Sequence, residues 1–366
     1  MAKAEVNSPL YLKLSVITMG LVSLLFILYV GREIIVPLIF STIIAILLNP
    51  VVMFLCRKKI NRIIAIMIAV LSAFILIATL AYFIFSQAAL FSEALPEFKV
   101  KFITMFNELI NWVSANLNVS VRKINVWIDQ TKSEGLNNSS AAIGSALTTV
   151  GGFLILFFLL PVYIFLILYY KPLFLEFISQ LFINGQKEVV NEVLSESKTL
   201  VQGYLVGLLL ETAVVATLNS VGLLILGIEY AILIGVIGAL LNLIPYIGGL
   251  VAISIPMLMA IATKNPIDAV WVFVLYMIIQ LIDNNFIVPK LVASRVKINA
   301  LISIIVVLIG GAMWGVAGMF LSIPITAIVK VIFDRITSLK PFGFLLGDNQ
   351  PDIVDFQLIL PVEKAK

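Results

Sequence analysis

The sequence contains no histidine and only one cysteine, Cys56, among its 366 residues. The lack of histidine excludes histidine metal ligands, catalytic triads that need histidine, and the usual proton carrier near neutral pH. A single cysteine excludes an intrachain disulfide framework. Any proton chemistry must therefore use carboxyl groups, and the sequence predicts neither a metal centre nor an organic cofactor.

Charged side chains are also scarce, because they make up 12% of the chain whereas 61% of its residues are hydrophobic. Soluble domains average roughly 25% charged residues. The net charge of +4 comes from basic residues in short loops beside apolar segments, where they set topology, so we expect no nucleic-acid partner. The composition predicts an all-α polytopic membrane protein whose main partner is the lipid bilayer.

Apolar runs divide the chain into about eight hydrophobic segments. Residues 57–62 form the densest basic cluster beside any segment, so we expect this loop and both termini to be cytoplasmic. The segments cover residues 10–30, 34–55, 63–86, 149–170, 200–226, 230–263, 267–288 and 299–332.

The segments and the regions between them suggest five parts. Residues 87–148 mix charges of both signs with helically spaced apolar residues, which favours an extracytoplasmic amphipathic region. Residues 171–199 are predicted to form a cytoplasmic amphipathic helix. The parts are N-terminal transmembrane helices (1–86), the extracytoplasmic region (87–148), a transmembrane helix with the amphipathic helix (149–199), a transport core (200–335) and a cytoplasmic C-terminal tail (336–366).

Two of the segments, residues 230–263 and 299–332, are too long for one crossing, which needs about 20 residues. Each has an interruption, at residues 242–249 and 310–315 respectively, where proline or glycine occurs. We expect each to be a re-entrant hairpin that enters and leaves the membrane on one side. The C-terminal half is then an inverted repeat of helix plus re-entrant hairpin, the arrangement that places transport sites near the membrane midplane.

The basic residues after the seventh segment favour this topology over a rival of eight simple spans. If residues 230–263 crossed the membrane fully, the loop at residues 290–297 would lie outside. If they form a hairpin, the loop is cytoplasmic, as its lysines and arginine predict. Both topologies keep the termini inside.

Polar residues inside apolar segments are costly and mark candidate sites. Glu211 lies deep in its segment, where a carboxyl group is either protonated or paired, so it is a candidate coupling site. A static hydrogen bond between helices is the alternative. A cluster of polar residues follows at the end of the seventh segment. The alternative interpretation of this cluster is that it lies at the level of the lipid headgroups and is hydrated there. The candidates in the helices are Glu211, Asn219, Gln280, Asp283, Asn284 and Asn285.

The interruptions supply a second set of candidates for binding a coupling ion or substrate. Proline removes a backbone donor and glycine permits positive φ, so freed carbonyls can bind a cation or a polar solute. The glycines could equally serve only to make a tight turn between packed helices. These candidates are Asn242, Pro245, Gly248, Gly249, Gly310 and Gly311.

At these residues the chain resembles the autoinducer-2 exporter family, also called AI-2E family transporters. The matching pieces are residues 242–249 with Pro256, the polar cluster at 280–285 with Pro289-Lys290, and Gly310-Gly311 with Gly315, Gly318 and Pro324. The order and spacing of these pieces match over about residues 150–335.

The resemblance implies a bacterial inner-membrane transporter that forms homo-oligomers, pentamers among them, with an elevator-like transport unit. Some members resemble exporters of the signal autoinducer 2, and others look like sodium or lithium/proton antiporters. This chain has Asn299-Ala300 where the family often has His-Pro, and Gly207-Leu208 where it often has Gly-Gln. No role tied to that histidine or glutamine transfers to this chain.

We therefore expect a secondary transporter that exports a small polar solute, such as autoinducer 2, with H+ or Na+ as the coupling ion. A Na+(Li+)/H+ antiporter is the alternative, and a membrane scaffold that uses residues 87–148 is a lesser one. An enzyme is not expected, because the chain lacks histidine and the paired aspartates of common intramembrane hydrolases.

Overall fold

The computed structural model describes residues 9–87, 104, 139–182, 187–245 and 247–349. Predictions about residues 88–138, apart from Thr104, and about residues 350–366 lie outside this part of the chain. The described residues are helical apart from turns and one isolated β-bridge, between Ile298 and Gly347. The all-α architecture is confirmed, and six described helices are long and apolar enough to cross a membrane.

Ten helices are numbered here in chain order. They are α1 (Leu10–Val30), α2 (Arg32–Arg57), α3 (Arg62–Gln87), α4 (Ser139–Leu181), α5 (Lys187–Ile225), α6 (Ala231–Asn242), α7 (Ile247–Thr263), α8 (Pro266–Ile282), α9 (Ala300–Arg335) and α10 (Lys340–Leu346).

The described residues between 171 and 199 do not form the predicted separate amphipathic helix. Its first part continues α4 to Leu181, and its last part begins α5, which runs for 39 residues without interruption. No proline occurs in α5, so nothing in its backbone stops the helix at the membrane boundary. The charged residues at the start of α5 therefore continue the same helix as its apolar residues.

Prolines inside two helices leave carbonyl groups without a donor in their own helix. Side chains of neighbouring helices donate hydrogen bonds to these carbonyl groups instead. Pro50 has no N–H to donate to the carbonyl of Ile46, four residues earlier in α2. The Gln202 side chain of α5 donates to that oxygen instead, at 2.6 Å. Pro172 frees the Leu168 carbonyl of α4 in the same way, and Arg62 of α3 donates to it at 2.8 Å. The two contacts join α5 to α2 and α3 to α4.

The first predicted interruption separates α6 from α7, and the two helices pack as an antiparallel hairpin. A Cβ atom at Gly248 would overlap the carbonyl oxygen of Leu241, so only glycine permits this approach. Farther from the turn, a Cβ at Gly238 would lie 3.6 Å from the Cβ of Ala252. We call α6 and α7 the first hairpin.

The second predicted interruption folds α9 back on itself at Gly315, whose φ of 62° and ψ of −144° are not helical. Gly310 packs directly against Gly318 and the hydroxyl of Ser322. In a straight helix, residues 310 and 318 would be about 12 Å apart. Residues 300–314 and 316–335 are therefore two antiparallel arms, which we call the second hairpin.

The two hairpins enter the bundle from opposite ends of α5. At the start of α5, Glu192 and Glu196 bind Arg335, the last residue of the second hairpin, at 2.5 and 2.8 Å. At the other end, Lys264 follows the first hairpin and donates to the carbonyl of Leu226 at 2.6 Å. The contacts place the open ends of the hairpins a full helix length apart.

Three apolar clusters fill the bundle. One joins the first hairpin to α5 and α8 around Leu223, Ala260 and Val272, which are fully buried. A second joins α2, α5 and the second hairpin around Val201 and Leu321, and a third joins α2, α3 and α4. Helix α5 takes part in the first two clusters, so both hairpins are positioned against it.

Candidate functional site

Asp283 lies where the regular helix of α8 ends and two consecutive π-helical turns begin, Asp283–Ile287 and Pro289–Ala293. Wide turns of this kind are rare and occur frequently at functional sites. The second turn begins at Pro289, which cannot donate a backbone hydrogen bond. Asp283 is only 2% exposed, so the widened helix directs its carboxyl group into the bundle.

The tip of the first hairpin supplies the partner of this carboxyl group. Asn242, the last residue of α6, donates from Nδ2 to Oδ2 of Asp283 at 3.1 Å. The approach depends on the close packing of α6 against Gly248. Beside this contact, a Cβ at Gly249 would lie 3.6 Å from Gln280 Oε1 and 3.7 Å from Asn242 Oδ1. Oxygen atoms from α6 and α8 therefore converge at the tip.

Glu211 of α5 faces the same region and is 7% exposed. It lines a cavity of about 560 Å³ together with Asp283, so two carboxyl groups from different helices share one space. Other polar or turn residues in the lining are Tyr204, Asn242, Pro245, Gly249, Tyr276, Gln280 and Asn284.

Neither carboxyl group forms an ion pair with a lysine or arginine within the described residues. The ion pairs found there join Lys330 to Asp334 and Arg335 to Glu192 and Glu196, at one end of the bundle. A charge in the membrane needs a counter-charge, a bound ion or protonation. For Glu211 and Asp283, which lack a basic partner among the described residues, this leaves protonation or a bound ion.

A smaller cavity of about 10 Å³, large enough for about one water molecule, lies beside the larger one. It is lined by Asn219 of α5, Tyr276 and Asp283 of the α8 region, and Gly238 of α6, among others. Four buried side-chain polar atoms in the described part of the chain have no hydrogen-bond partner. Three of them are Asn219 Oδ1, Tyr276 OH and Asp283 Oδ1, whereas the fourth belongs to Ser197.

Most residues singled out in the sequence come together at these two cavities. Glu211, Asn242, Pro245, Gly249, Gln280, Asp283 and Asn284 line the larger one, and Asn219 lines the smaller one. Gly248 contributes indirectly, because its lack of a side chain permits the close packing of α7 against Leu241 near the tip. Asn285 does not join them, because it is exposed and donates to the Leu281 carbonyl of its own helix at 2.8 Å.

The second hairpin lines neither cavity, so the candidates Gly310 and Gly311 lie apart from the other candidate residues. Gly310 packs against Gly318, and Gly311 lies against the side chain of Met319. These glycines bring the two arms together. Their packing agrees with the alternative stated for the sequence, in which the glycines serve a tight turn between packed helices. At the tip, Trp314 donates to the carbonyl of Leu28 at 3.0 Å, near the end of α1.

Two tyrosines in the larger lining, Tyr204 and Tyr276, were not predicted from the sequence. Tyr276 lies four residues before Gln280 and seven before Asp283, so helical spacing places it on their face. That spacing was a usable signal. A tyrosine in an apolar helix more often packs by its ring, however, so the residue type alone does not identify a site.

Comparisons of the sequence with known proteins point to one family. A family model described as "AI-2E family transporter" matches residues 16–338. The "Putative transport protein YhhT" of Escherichia coli (strain K12) is 25% identical over 329 residues, covering 88% of this chain and 90% of that protein. The "AI-2 transport protein TqsA" of the same strain is 25% identical over 324 residues, covering 87% and 90%. The "Putative transport protein YueF" of Bacillus subtilis (strain 168) is 25% identical over 316 residues, covering 83% and 84%.

Proposed function

Because the chain belongs to the AI-2E family of transporters, we propose that it is a secondary transporter that exports a small polar solute with an ion as driver. The solute belongs to the chemical class of autoinducer 2, which the name of one relative mentions. We place it in the bacterial inner membrane with both termini in the cytoplasm, as the basic residues beside its helices favour.

One observation carries this proposal: the carboxyl groups of Glu211 and Asp283 are buried, lack a basic partner among the described residues and line one cavity. Two unpaired negative charges at membrane depth are unstable, so a proton or cation must be taken up there. A cavity of about 560 Å³ also has room for a small polar molecule. Ion and solute then bind within reach of the same groups.

The arrangement of the hairpins supports alternating access by an inverted repeat. Each unit consists of one long helix and one hairpin, α5 with the first hairpin and the α8 region with the second. Their open ends lie at opposite ends of α5. In transporters with such repeats, substrate and ion sites lie between the units. We propose that both hairpins are re-entrant and that the first hairpin closes the site from outside.

A second candidate is a Na+(Li+)/H+ antiporter without an organic substrate. The observation that favours it is the set of unpartnered oxygen atoms at the small cavity, which are ligands suited to hard cations. Both candidates use the same carboxyl groups, and they differ in whether the larger cavity carries a solute. The homo-oligomeric state implied by the family resemblance stays a prediction.

The test is solute flux in proteoliposomes that contain the purified full-length protein. We expect an imposed proton or sodium gradient to drive autoinducer 2 through the wild type, and Glu211→Gln to abolish the gradient-driven part. Glu229→Gln is the matched control, because Glu229 is exposed at the far end of the same unit. Equal solute flux with and without an ion gradient would contradict the proposal that transport is coupled to an ion. Cation/proton exchange without solute flux would select the antiporter.

A further inference from the structure

We propose that Arg62, Lys171 and Lys198 form a binding site for the phosphate headgroup of an anionic phospholipid. The site lies at the end of the bundle where α2 ends and α5 begins, and none of its three residues lines either cavity. It goes beyond the proposed function, because neither the solute nor the coupling ion takes part in it.

All three basic residues lie at the boundary between charged and apolar sequence. Lys171 directly follows the apolar run that ends at residue 170, Lys198 lies just before the run that begins at residue 200, and Arg62 begins α3. Lipid headgroups occupy this level of a bilayer. The basic loop at residues 57–62 predicts that this end is cytoplasmic, and the leaflet on that side carries anionic lipids.

Hydrogen bonds to neighbouring helices hold two of the cations in place. Lys171 Nζ donates at 2.9 Å to Oδ1 of Asn49, a buried residue of α2. One nitrogen of the Arg62 guanidinium donates to the carbonyls of Leu168 and Tyr169, at 2.8 and 3.1 Å. These acceptors are neutral, so they leave both positive charges uncompensated.

The packing of α5 on α2 brings the third cation, Lys198, to the same place. Gln202 follows Lys198 by about one turn on the same face of α5, and it donates to the Ile46 carbonyl of α2 at 2.6 Å. Asn49, which binds Lys171, follows Ile46 by about one turn of α2. Lys198 therefore lies near Lys171, and the charges of the two lysines interact.

The three cations have no acidic partner in the described part of the chain. The charge of Lys171 interacts with those of both Lys198 and Arg62, which repel it. The ion pairs among the described residues lie elsewhere, and the two glutamates that precede Lys198 in α5 bind Arg335. A phosphate group compensates all three charges, and basic pockets between transmembrane helices on the cytoplasmic side bind such headgroups.

Exposed apolar and aromatic side chains beside the cations suit the acyl chains of the same ligand. Met53 is exposed and accepts from the amide of Asn49, and Tyr169 and Tyr170 are exposed directly before Lys171. Tyrosines are typical of the headgroup level, where the ring lies against the chains and the hydroxyl group reaches the polar layer. A soluble phosphate gains nothing from these surfaces, so the site favours a lipid.

A headgroup bound here joins two parts of the bundle. Arg62 and Lys171 lie on α3 and α4, which pack with α2 in one apolar cluster. Lys198 lies on α5, which packs with α2 in another. The phosphate therefore bridges helices of the two clusters, and its binding stabilises the folded bundle.

The test is native mass spectrometry of delipidated full-length protein in detergent, which counts bound lipids and gives their dissociation constants. The ligands are phosphatidylglycerol, phosphatidylcholine with the same acyl chains, and glycerophosphoglycerol, which is the anionic headgroup without chains. We expect saturable binding of phosphatidylglycerol that is about tenfold or more tighter than that of phosphatidylcholine. An equal concentration of glycerophosphoglycerol should not displace the lipid.

Substitutions assign the binding to these residues. Lys198→Gln and Arg62→Gln should each weaken phosphatidylglycerol binding by about fivefold, the loss expected for one basic residue near an anionic headgroup. Lys198 forms no ion pair within the described residues, so Lys198→Gln removes its charge without breaking an internal salt bridge. Lys198→Arg keeps the charge and should keep the affinity.

Two exposed basic residues supply matched controls. Arg57 lies beside the same basic loop, and Lys340 begins α10. Arg57→Gln and Lys340→Gln remove one positive charge each and should leave the affinity for phosphatidylglycerol unchanged.

Equal affinities of the wild type for phosphatidylglycerol and phosphatidylcholine would overturn the proposal. An equal loss of affinity in Arg57→Gln and Lys198→Gln would also overturn it, because the attraction would then come from the whole basic loop. Displacement by glycerophosphoglycerol would overturn the lipid as occupant in favour of a soluble phosphate. Solute flux is measured separately, so selective lipid binding without ion-driven flux would reject the proposed function alone, and flux without selective lipid binding would reject this site alone.

Discussion

At the scale of single residues, the contact between Asn242 and Asp283 joins the tip of the first hairpin to the interior of the bundle. The carboxylate is 2% exposed, and its hydrogen bond to Asn242 is the one that the described residues supply to it. Hydrogen bonds to charged groups contribute about 1.5–3 kcal/mol. The position of the tip therefore depends strongly on one amide group.

Asn242→Ala should lower the free energy of unfolding by about 1–3 kcal/mol, because the one oxygen of Asp283 that accepts a hydrogen bond from a described residue loses that partner. It should also reduce solute flux, since the tip loses its attachment. Denaturant titration in detergent and flux in proteoliposomes measure the two effects. Asn285→Ala is the control, because Asn285 is exposed and bonds only within its own helix. Equal behaviour of the two variants would contradict the importance of the contact.

At the scale of helices, the packing depends on two features of the sequence. Prolines leave carbonyl groups free to accept hydrogen bonds from other helices, and glycines permit close packing. Gln202 binds the carbonyl that Pro50 leaves free in α2, and so attaches α5 to the N-terminal helices. Gly248 lets the chain turn tightly enough to place Asn242 against Asp283. Each feature can be tested separately.

Gln202→Met should destabilise the protein by about 1–3 kcal/mol, because the Ile46 carbonyl becomes unsatisfied. Pro50→Ala restores an N–H within the helix for that carbonyl. In the double variant, the loss caused by Gln202→Met should therefore shrink by about 1 kcal/mol, as a double-mutant cycle of unfolding free energies would show. Purely additive effects would mean that the two residues do not act on one carbonyl group.

Gly248→Ala should abolish solute flux, because its methyl group would overlap the Leu241 carbonyl and force the two helices of the first hairpin apart. Asn242 would then move away from Asp283. Gly20→Ala offers the same substitution in open space and should leave flux unchanged. Wild-type flux in Gly248→Ala, measured beside that control, would show that the close packing is dispensable.

The positions of the two hairpin turns could be predicted from the sequence. Both hairpin turns lie inside the predicted interruptions, since proline and glycine have local effects on the backbone. The continuation of α5 across residue 199 was not predicted, because charge content shows where a helix leaves the membrane but not whether it ends there. The π-helical turns after Asp283 leave no pattern that distinguishes them from ordinary helix.

At the scale of the whole molecule, the two hairpins enter the bundle from opposite ends of α5. The second hairpin packs against α2 and α5, and its tip reaches Leu28 near one end of α1. The second hairpin has arms of 15 and 20 residues, which are about 22 and 30 Å long. That it lines neither cavity depends on long-range packing, which hydropathy and motif spacing do not specify.

This topology predicts the accessibility of single cysteines introduced into Cys56→Ser protein in intact cells. Glu33→Cys and Glu229→Cys should react with a membrane-impermeant maleimide from the periplasm, because both exposed positions lie at the outer end of the predicted arrangement. Ser294→Cys, in the basic loop, should react only after permeabilisation. Labelling of Ser294→Cys in intact cells would favour eight simple spans.

The central claim is that two buried carboxyl groups in one cavity connect ion uptake to solute movement. The most direct measurement is autoinducer 2 flux in proteoliposomes, across pH and sodium concentration, for the wild type, Glu211→Gln and Asp283→Asn. We predict that flux through the wild type follows the imposed ion gradient and that each variant loses this dependence. The same dependence on pH and sodium in all three proteins would contradict the account.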